Sequence, residues 1–378
     1  MKNKQILKIL HISEAYGWSG GANQAQTLAK ELNKKGHINY IACPENGDLY
    51  KKAKENSIET FNFNPKTKSA ILDGFKISKL IDEIKFDVIH AHHSKAHNAA
   101  VVAKFLSRHK PVLVVSRRVS HSLPKNILAK LKYKTSLVDA YIAVCEYVKK
   151  ILVNYGIDEK KIYVIYSGVD RKKFFKKEKD MEFKKELGIN YDEFVITLIG
   201  NFSYDKGQHI LIDALDILRK KGYRFKVIFA GRNTDSDELK RMFQKKLPIV
   251  WGVFLGLRDD VEKILNITDI NVNAAIKGEA LSGSLREAMA LGAPSVASDI
   301  AGNREILKDG FNGFLYNPGD YISLATKLEI LINNTELRNI FSNNATKTID
   351  EKFSIDTMVE KTLDVYMKYV GKVRGENR

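Results

Sequence analysis

Short apolar runs alternate with longer segments of helical periodicity along most of the chain. The apolar runs lack regular polar alternation, which is typical of strands buried on both faces of a parallel sheet. In the helical segment "GANQAQTLAKELNKKGH", Leu28 and Leu32 lie one turn apart and Gly36 ends the pattern. The first series of strands is predicted at 6–13, 39–44, 86–92, 111–116 and 139–144, with a closing apolar segment at 161–170.

The pattern begins again after the charged segment "RKKFFKKEKDMEFKKE", which we interpret as a linker and an entry helix. The sequence therefore predicts an α/β protein with two Rossmann-like, doubly wound domains, 1–175 and 176–354. These domains are expected to face each other across a cleft, where ligands bind at the carboxyl ends of the strands. An amphipathic helix within 355–378 can return to either domain, and the first is our choice. Strands of the second series are predicted at 193–201, 224–231, 249–256, 269–275 and 293–299.

Composition limits the class of protein but does not decide its function. The 378 residues are 44% hydrophobic, which is enough for two cores, and the two cysteines, Cys43 and Cys145, are typical of a reduced cytoplasmic protein. The N-terminal apolar run is interrupted by Lys8, so we expect neither a signal peptide nor a membrane span. The net charge of +17 fits either a lysine-rich proteome or attraction to nucleic acid, a phosphorylated substrate or an acidic membrane.

The stretch "KGEALSGSLREAMALGAPSVASD" (277–299) places two glutamates at the start of a helix. The segment Ser282-Gly283-Ser284 is a typical helix start, which puts Glu287 in the first turn and Glu279 in the preceding loop. Free amides at a helix N-terminus bind phosphate, and ionised carboxylates accept hydrogen bonds from sugar hydroxyls. The stretch therefore predicts a nucleotide-sugar site, with an ordinary capped helix as the alternative interpretation.

The spacing of Glu279 and Glu287 resembles the E-x7-E motif of the retaining glycosyltransferases of GT-B fold, GT4 type. Other segments that resemble this family occur in the expected order and cover nearly the whole chain. They are "GWSGGANQAQTLAKELNKKGH", "FDVIHAHH", the segment 142–170, "LIGNFSYDKGQHILIDAL" and the segment 264–320. The resemblance implies a cytoplasmic enzyme that moves a sugar from a nucleoside diphosphate to an acceptor hydroxyl.

The resemblance also implies roles for individual residues. Lys206 would pair with the leaving diphosphate, Glu279 would hold the sugar, and His92 would lie near it, with His90, His93 and His97 as rivals. Glu287 would bind the ribose. The remaining donor-binding positions are Gly20 and Gly21 near the phosphate, Leu257 and Arg258 beside the base, Asn201, and the amides of Ser282, Gly283, Ser284 and Leu285.

Two positions depart from the family pattern. Asn201 stands in "GNF" where the family often has arginine, so Lys206, Arg258 or Arg286 would have to compensate for a missing positive charge. Ala280 follows Glu279 where the family often has glycine, and its Cβ changes the loop around the donor sugar. The second departure bears on which sugar is used rather than on activity.

Two further motifs raise the alternative of a metal. His90, His92 and His93 resemble a zinc-binding pattern, but no acidic or cysteine cluster lies near them in the sequence. Asp235-Ser236-Asp237 resembles the D-x-D triplet that holds Mg²⁺ or Mn²⁺ in other glycosyltransferases, but Asp and Ser are also ordinary helix caps. We expect no metal and no other cofactor, because lysine and helix amides can stabilise a leaving diphosphate.

The segment 116–134 is basic with interleaved apolar residues, and it lies in the domain where the family receives acceptors. Arg117 and Arg118 are candidates for holding an acidic or phosphorylated acceptor. Ile127, Leu128 and Leu131 share a helical face, which predicts either docking on an anionic membrane that carries a lipid-linked acceptor or ordinary core packing. Glycan acceptors are equally compatible. The competing functions are a GT-B nucleotide-sugar epimerase or phosphorylase and a basic nucleic-acid binder, and we expect no nucleic-acid partner.

Overall fold

The computed structural model describes residues 5–17, 19–65 and 70–375, without the side chain of Leu128. The chain forms two compact units, one with residues up to Ser167 together with those from Ile355 onward, the other Gly168–Ser354. The division precedes the predicted boundary at 175 because the intervening residues pack on the second unit. Val169 N donates to Phe353 O (2.8 Å), and Arg171 pairs with Asp350.

The first unit is built on a seven-stranded parallel sheet in the order β3-β2-β1-β4-β5-β6-β7. Its strands are β1 Lys8–Ile12, β2 Ile38–Cys43, β3 Glu59–Asn62, β4 Val88–Ala91, β5 Val112–Arg117, β6 Ala140–Ala143 and β7 Ile162–Val164. Its helices up to the linker are α1 Gly20–Lys34, α2 Asp48–Glu55, α3 Ala70–Ile84, α4 Ser94–Leu106, α5 Ile127–Lys134 and α6 Glu146–Asn154.

The second unit is built on a six-stranded parallel sheet in the order β10-β9-β8-β11-β12-β13. Its strands are β8 Val195–Ile199, β9 Lys226–Ala230, β10 Gly252–Phe254, β11 Ile270–Asn273, β12 Ser295–Ser298 and β13 Phe314–Tyr316. Its helices are α7 Met181–Glu186, α8 Gln208–Lys220, α9 Asp237–Gln244, α10 Val261–Asn266, α11 Gly283–Ala290, α12 Ala301–Ile306, α13 Tyr321–Asn333 and α14 Thr335–Lys352.

The predicted α/β class and the two Rossmann-like domains are confirmed, since parallel strands and helices alternate in both units. Two strands, β3 and β13, were not predicted. Both are edge strands of three or four residues. β3 has no fully buried position, and β13, although all three of its residues are apolar, is shorter than the runs that predict a strand. Among the described residues, no helix combines the length and the apolar character that crossing a bilayer requires.

The last helix, α15 Ile355–Arg374, belongs to the first unit. Its apolar face, including Met358, Val359 and Tyr366, packs into a core formed with β1, α1, β4, β5 and β6. Arg374 near its end pairs with Asp87 before β4. The helix is therefore part of the core of the domain in which the chain begins.

A cluster of buried histidines lies between this sheet and α15. His11 of β1 stands opposite His90 of β4, and His11 Nδ1 lies 3.0 Å from His92 Nε2. His90 bonds through Nδ1 to the Tyr366 hydroxyl (2.5 Å) and through Nε2 to Ser116 Oγ (2.7 Å). Burial lowers the pKa of His11 to about 4 and lowers the pKa values of His90 and His92 well below 6.5. The folded unit therefore holds these imidazoles neutral.

Acid is expected to destabilise the first unit in a defined pH window. Below pH 6.5 the unfolded chain protonates these histidines while the folded unit does not, so stability falls as pH drops from 6.5 towards 4. The expected slope is about 1.4 kcal/mol per pH unit for each such histidine. Hydrogen exchange of the β1 and β4 backbone amides, corrected for intrinsic exchange rates, measures the slope of the free energy of unfolding against pH.

The variant His11→Gln should show a shallower slope, whereas His121→Gln, at an exposed position, should match the parent. Equal slopes in all three proteins would show that the buried cluster does not govern acid stability.

Candidate active site

The loop after β8 carries Lys206 in a short 3₁₀ turn, Tyr204–Lys206. Gly207, which follows, has φ +72°, and a Cβ at this position would collide with the carbonyl oxygen of Ala274 after β11. Ile276 N also donates to Asp205 O (2.8 Å). The β8 and β11 loops are thus held against each other, and Lys206 forms an ion pair with Glu279.

The loop after β11 ends where α11 begins, as the sequence predicted. Ser282 is the N-cap, and its Oγ accepts a hydrogen bond from Leu285 N (3.4 Å). The same Oγ accepts from Asn273 Nδ2 (2.8 Å), and Asn303 Nδ2 donates to Asn273 Oδ1 (3.2 Å). This buried network fixes the start of α11 at the end of β11. Sequence reasoning missed both asparagines, although an Asn at the end of an apolar strand was a visible signal.

Glu287 lies one turn further along the helix than predicted. Because Ser282 is the cap, Gly283 is the first helical residue and Glu287 is the fifth, so the expectation of a first-turn glutamate is wrong. The side chain is partly buried, and burial raises the pKa of Glu287 to about 7, while the charges of Arg286 and Lys173 act in the opposite direction. Glu279 and Glu287 therefore have different surroundings.

The other predicted donor-binding residues of this unit also follow strands. Asn201 after β8 is exposed, and its Oδ1 accepts a hydrogen bond from Arg232 N (3.0 Å). Leu257 after β10 is 67% exposed. Arg258 donates two hydrogen bonds to Asp260 (2.8 and 2.6 Å), so its charge is already engaged. These loops share the carboxyl edge of the sheet with Lys206 and α11, the edge at which open α/β sheets bind ligands.

His92 was expected to lie near the donor sugar, but its side chain is buried inside the first unit. The structure buries His92 in the cluster described above, and it buries His90 and His97 as well. His93 is the part-exposed one of the four. Its Nδ1 lies 3.1 Å from Ser13 Oγ, and its ring lies directly against Gly21, where any Cβ would collide with it.

The first-unit glycines begin α1. Gly20 is the exposed first residue of the helix, and Ser19 caps it by accepting from Ala22 N (3.2 Å). Gly21 is the buried second residue. The glycines therefore lie at a helix N-terminus, where backbone amides point outward.

The two arginines predicted to bind the acceptor differ in accessibility. Arg117 is only 8% exposed and donates to the His121 carbonyl and the Tyr133 hydroxyl. As the last residue of β5 it points into the unit, so the structure does not favour it as an acceptor ligand. Arg118 is partly exposed and donates to Ser167 Oγ.

Residues of both metal-like motifs take part in structural hydrogen bonds. Ser236 of the D-x-D triplet caps α9 by accepting a hydrogen bond from Leu239 N (3.4 Å). Within the described ranges, the one group of three side chains with metal-ligand geometry is His11, His90 and His92. Asn39 bonds the His11 imidazole, and Tyr366 and Ser116 bond the His90 imidazole. His92 Nε2 lies 3.0 Å from His11 Nδ1, and its Nδ1 is buried without a hydrogen-bond partner among the described residues.

Comparison with known proteins identifies the family of both units. The sequence model of Glycosyltransferase Family 4 matches residues 18–173, and that of Glycosyl transferases group 1 matches residues 179–348. Putative glycosyltransferase EpsD from Bacillus subtilis is 26% identical over 306 residues, which cover 78% of this chain and 80% of EpsD.

Two further relatives have described substrates or ligands. The UDP-Gal:alpha-D-GlcNAc-diphosphoundecaprenol alpha-1,3-galactosyltransferase of Escherichia coli is 27% identical over 305 residues, covering 77% of this chain and 78% of that protein. Anabaena HepE, solved with UDP-glucose, superposes with a TM-score of 0.81 at 22% identity, covering 96% of this chain and 100% of HepE. The chain thus belongs to the GT4-type, group 1 glycosyltransferases of GT-B fold.

Proposed function

We propose that this enzyme transfers a hexose from a nucleoside diphosphate to an acceptor hydroxyl with retention of anomeric configuration. The observation that carries the proposal is the Lys206–Glu279 ion pair beside the capped N-terminus of α11. A cation, a carboxylate and free helix amides gather there at the carboxyl edge of one sheet. A sugar pyrophosphate requires this combination of groups, because its phosphates are anionic and its hydroxyls are hydrogen-bond donors.

In this proposal the donor diphosphate lies at the start of α11. The amides of Gly283 and Ser284 receive the phosphate oxygens, whereas the predicted Leu285 amide already donates to the capping hydroxyl of Ser282. Lys206 moves from Glu279 to the leaving phosphate. Glu279 then accepts hydrogen bonds from the transferred sugar, and Glu287 accepts from the ribose. The exposed side chain of Leu257 provides an apolar surface for the base.

Retention follows, in the proposal, from the geometry of the leaving group. The departing phosphate accepts the proton of the acceptor hydroxyl on the same face of the sugar, so no enzyme carboxylate needs to form a covalent intermediate. The enzyme contributes positioning and charge stabilisation. The family resemblance supports this mechanism.

The relatives support a choice of first substrates. The galactosyltransferase that the chain resembles is named for UDP-Gal and an alpha-D-GlcNAc-diphosphoundecaprenol acceptor, and HepE was solved with UDP-glucose. We therefore propose a UDP-hexose donor and a lipid-linked glycan acceptor, in cell-envelope or polysaccharide synthesis. With such an acceptor, we propose that the enzyme works at the cytoplasmic face of a membrane.

Helix α5 is the proposed membrane-docking surface. Ile127 is 73% exposed and Leu131 is 65% exposed, which does not favour the alternative of core packing. Lys130 on the same helix is exposed, whereas Lys132 turns inward and donates to Ser94 O (2.8 Å) and Ser94 Oγ (2.9 Å). The third residue of the predicted apolar face, Leu128, has a side chain outside the described residues.

Lys206→Met is expected to lower kcat for sugar transfer or donor hydrolysis by about 10²–10³-fold, since the leaving phosphate loses its cation. Lys206→Arg should retain part of the activity. The measurement is UDP release from UDP-hexoses, with Lys245→Met, an exposed lysine of the same unit, as the matched control. Undiminished turnover by Lys206→Met would remove this site from the reaction. Conversion of the donor to another nucleotide sugar without acceptor would identify an epimerase instead.

Activity is expected to persist after metal removal, because Lys206 and the α11 amides take the part of a metal at the diphosphate. The measurement is transfer in the presence of excess EDTA, compared with protein supplied with Mg²⁺ or Mn²⁺. Loss of activity in EDTA, reversed only by a divalent cation, would contradict this expectation.

The double variant Ile127→Ser/Leu131→Ser is expected to lose binding to vesicles of acidic phospholipid, because it removes the exposed apolar residues of α5. Co-sedimentation with vesicles measures this. The matched control is Val250→Ser/Ile322→Ser, which replaces two exposed apolar residues of the second unit. Equal binding by both double variants would show that α5 is not the docking surface.

A further inference from the structure

Three consecutive helices of the first unit, α3, α4 and α5, lie on the same face of its sheet. The chain passes from β3 to β4, from β4 to β5 and from β5 to β6, and each step goes in the same direction across the strand order. Because such crossover connections are right-handed, the three helices form one layer. Helices α1 and α2 follow steps in the opposite direction and cover the other face. The outer side of the α3–α4–α5 layer is therefore turned away from the sheet.

Helices α3 and α4 run side by side in the same direction. A Cβ on Gly74 of α3 would collide with the side chain of Val102 of α4, so the two helices are in close contact there. Further along, Asp82 Oδ1 accepts a hydrogen bond from the backbone amide of Arg108, just beyond the end of α4 (2.8 Å). These two contacts fix which residues of the two helices are neighbours.

Exposed apolar side chains border the contact between α3 and α4. Phe75 comes one residue after the Gly74 contact and Phe105 comes three residues after its partner on α4, so the two differ by only about 3 Å along the helix axes. Phe75 is 48% exposed and Phe105 is 68% exposed, and Ile71 and Leu106 on the same helices are exposed as well. The sheet covers the inner side of both helices, so these side chains face outward. An exposed apolar surface of this kind is typical of an interaction site.

The exposed charges of α3 and α4 are mostly positive. They belong to Lys76, Lys79, Lys95 and Glu83. Lys79 Nζ lies 4.6 Å from the centre of the Phe75 ring, so a cation stands directly beside the exposed aromatic residue. Lysine is depleted in the centre of protein–protein interfaces, whereas lysines beside an apolar surface can extend their ammonium groups to anionic headgroups. The charges therefore favour an anionic bilayer over a second protein as the partner of this surface.

Helix α4 connects this surface to α5. Lys132 of α5 donates hydrogen bonds to Ser94 O (2.8 Å) and Ser94 Oγ (2.9 Å) at the start of α4. The exposed apolar residues of α5 thus belong to the same layer as Phe75 and Phe105. A single docked helix leaves the unit free to turn about that helix, whereas a second contact on the same layer fixes the orientation of the unit on the bilayer.

We propose that the outer surface of α3 and α4, with Phe75 and Phe105 at its centre and Lys76 and Lys79 beside them, is a second docking surface for an anionic phospholipid bilayer. The two phenyl rings enter the headgroup region, and the two ammonium groups meet lipid phosphates. This inference rests on the proposed function, which assigns α5 to the membrane, and it adds the contact that orients the domain there.

The test compares Phe75→Ser/Phe105→Ser with Val250→Ser/Ile322→Ser, the control in the second unit. Co-sedimentation with vesicles of equal parts phosphatidylglycerol and phosphatidylcholine measures the partition coefficient. We expect it to fall by about tenfold or more in the first variant, because two phenyl rings no longer leave water on docking. The control should match the parent, and circular dichroism melting curves establish that each variant is folded.

The lysines provide a second, independent variant. Lys76→Glu/Lys79→Glu should also bind these vesicles about tenfold more weakly, because two attractive charges become repulsive. Its binding to vesicles of pure phosphatidylcholine should match that of the parent. The control is Lys172→Glu/Lys245→Glu, which reverses two exposed lysines of the second unit and has the same net charge. This pair decides the question if the aromatic variant does not fold.

Equal vesicle binding by the α3–α4 variants and their controls would overturn the inference, and so would a parent that binds no acidic vesicles. Sedimentation equilibrium tests the other occupant. A parent dimer that Phe75→Ser/Phe105→Ser dissociates, with vesicle binding unchanged, would assign the surface to a second copy of the chain. If the parent docks as expected but releases UDP from no UDP-hexose, it is the proposed function that fails.

Discussion

The candidate site depends on a helix that must begin at one place, directly beyond the end of β11. Ser282 caps α11. The side-chain amide of Asn273, the last residue of β11, donates a hydrogen bond to the capping hydroxyl. Asn303 of α12 completes the network. Because breaking the hydrogen bonds of buried polar groups costs free energy, these bonds fix both the position and the direction of the first helical turn. The free amides of α11, the Glu279 loop and the Arg286 guanidinium all take their places from this start.

Most of the fold was predictable from local signals, and the exceptions have physical reasons. Central strands such as β1 and β5 are fully or almost fully buried and read as apolar runs, whereas edge strands β3 and β13 are too short to show a pattern. Ser282 was recognisable as a cap from residue type alone. The exact position of Glu287 along α11 was not predictable in this way. Glu287 lies in the second turn because Ser282, the cap, is not itself a helical residue.

Side-chain burial was the least predictable property of the site. Arg117 and Arg118 are adjacent in the sequence, yet Arg117, the last residue of β5, is buried beside Tyr133, whereas Arg118 lies beyond the strand and is partly exposed. His92 joins a buried cluster because β1, a distant segment, brings His11 beside it. Alternation along one strand predicts which residues share a side, but not what the neighbouring elements place there.

The chain has Asn201 where the family often has arginine, and a buried arginine lies instead in the first turns of α11, at Arg286. An arginine in the β8 loop would be a mobile cation in contact with solvent, and water would screen it. Arg286 is bonded to the backbone in a region of low dielectric, where a charge acts more strongly over the same distance. The Arg286 side chain loses no further conformational entropy when a ligand binds, because the fold has already fixed its position. In the proposed function the flexible Lys206 has to move, because it leaves its ion pair with Glu279 for the departing phosphate.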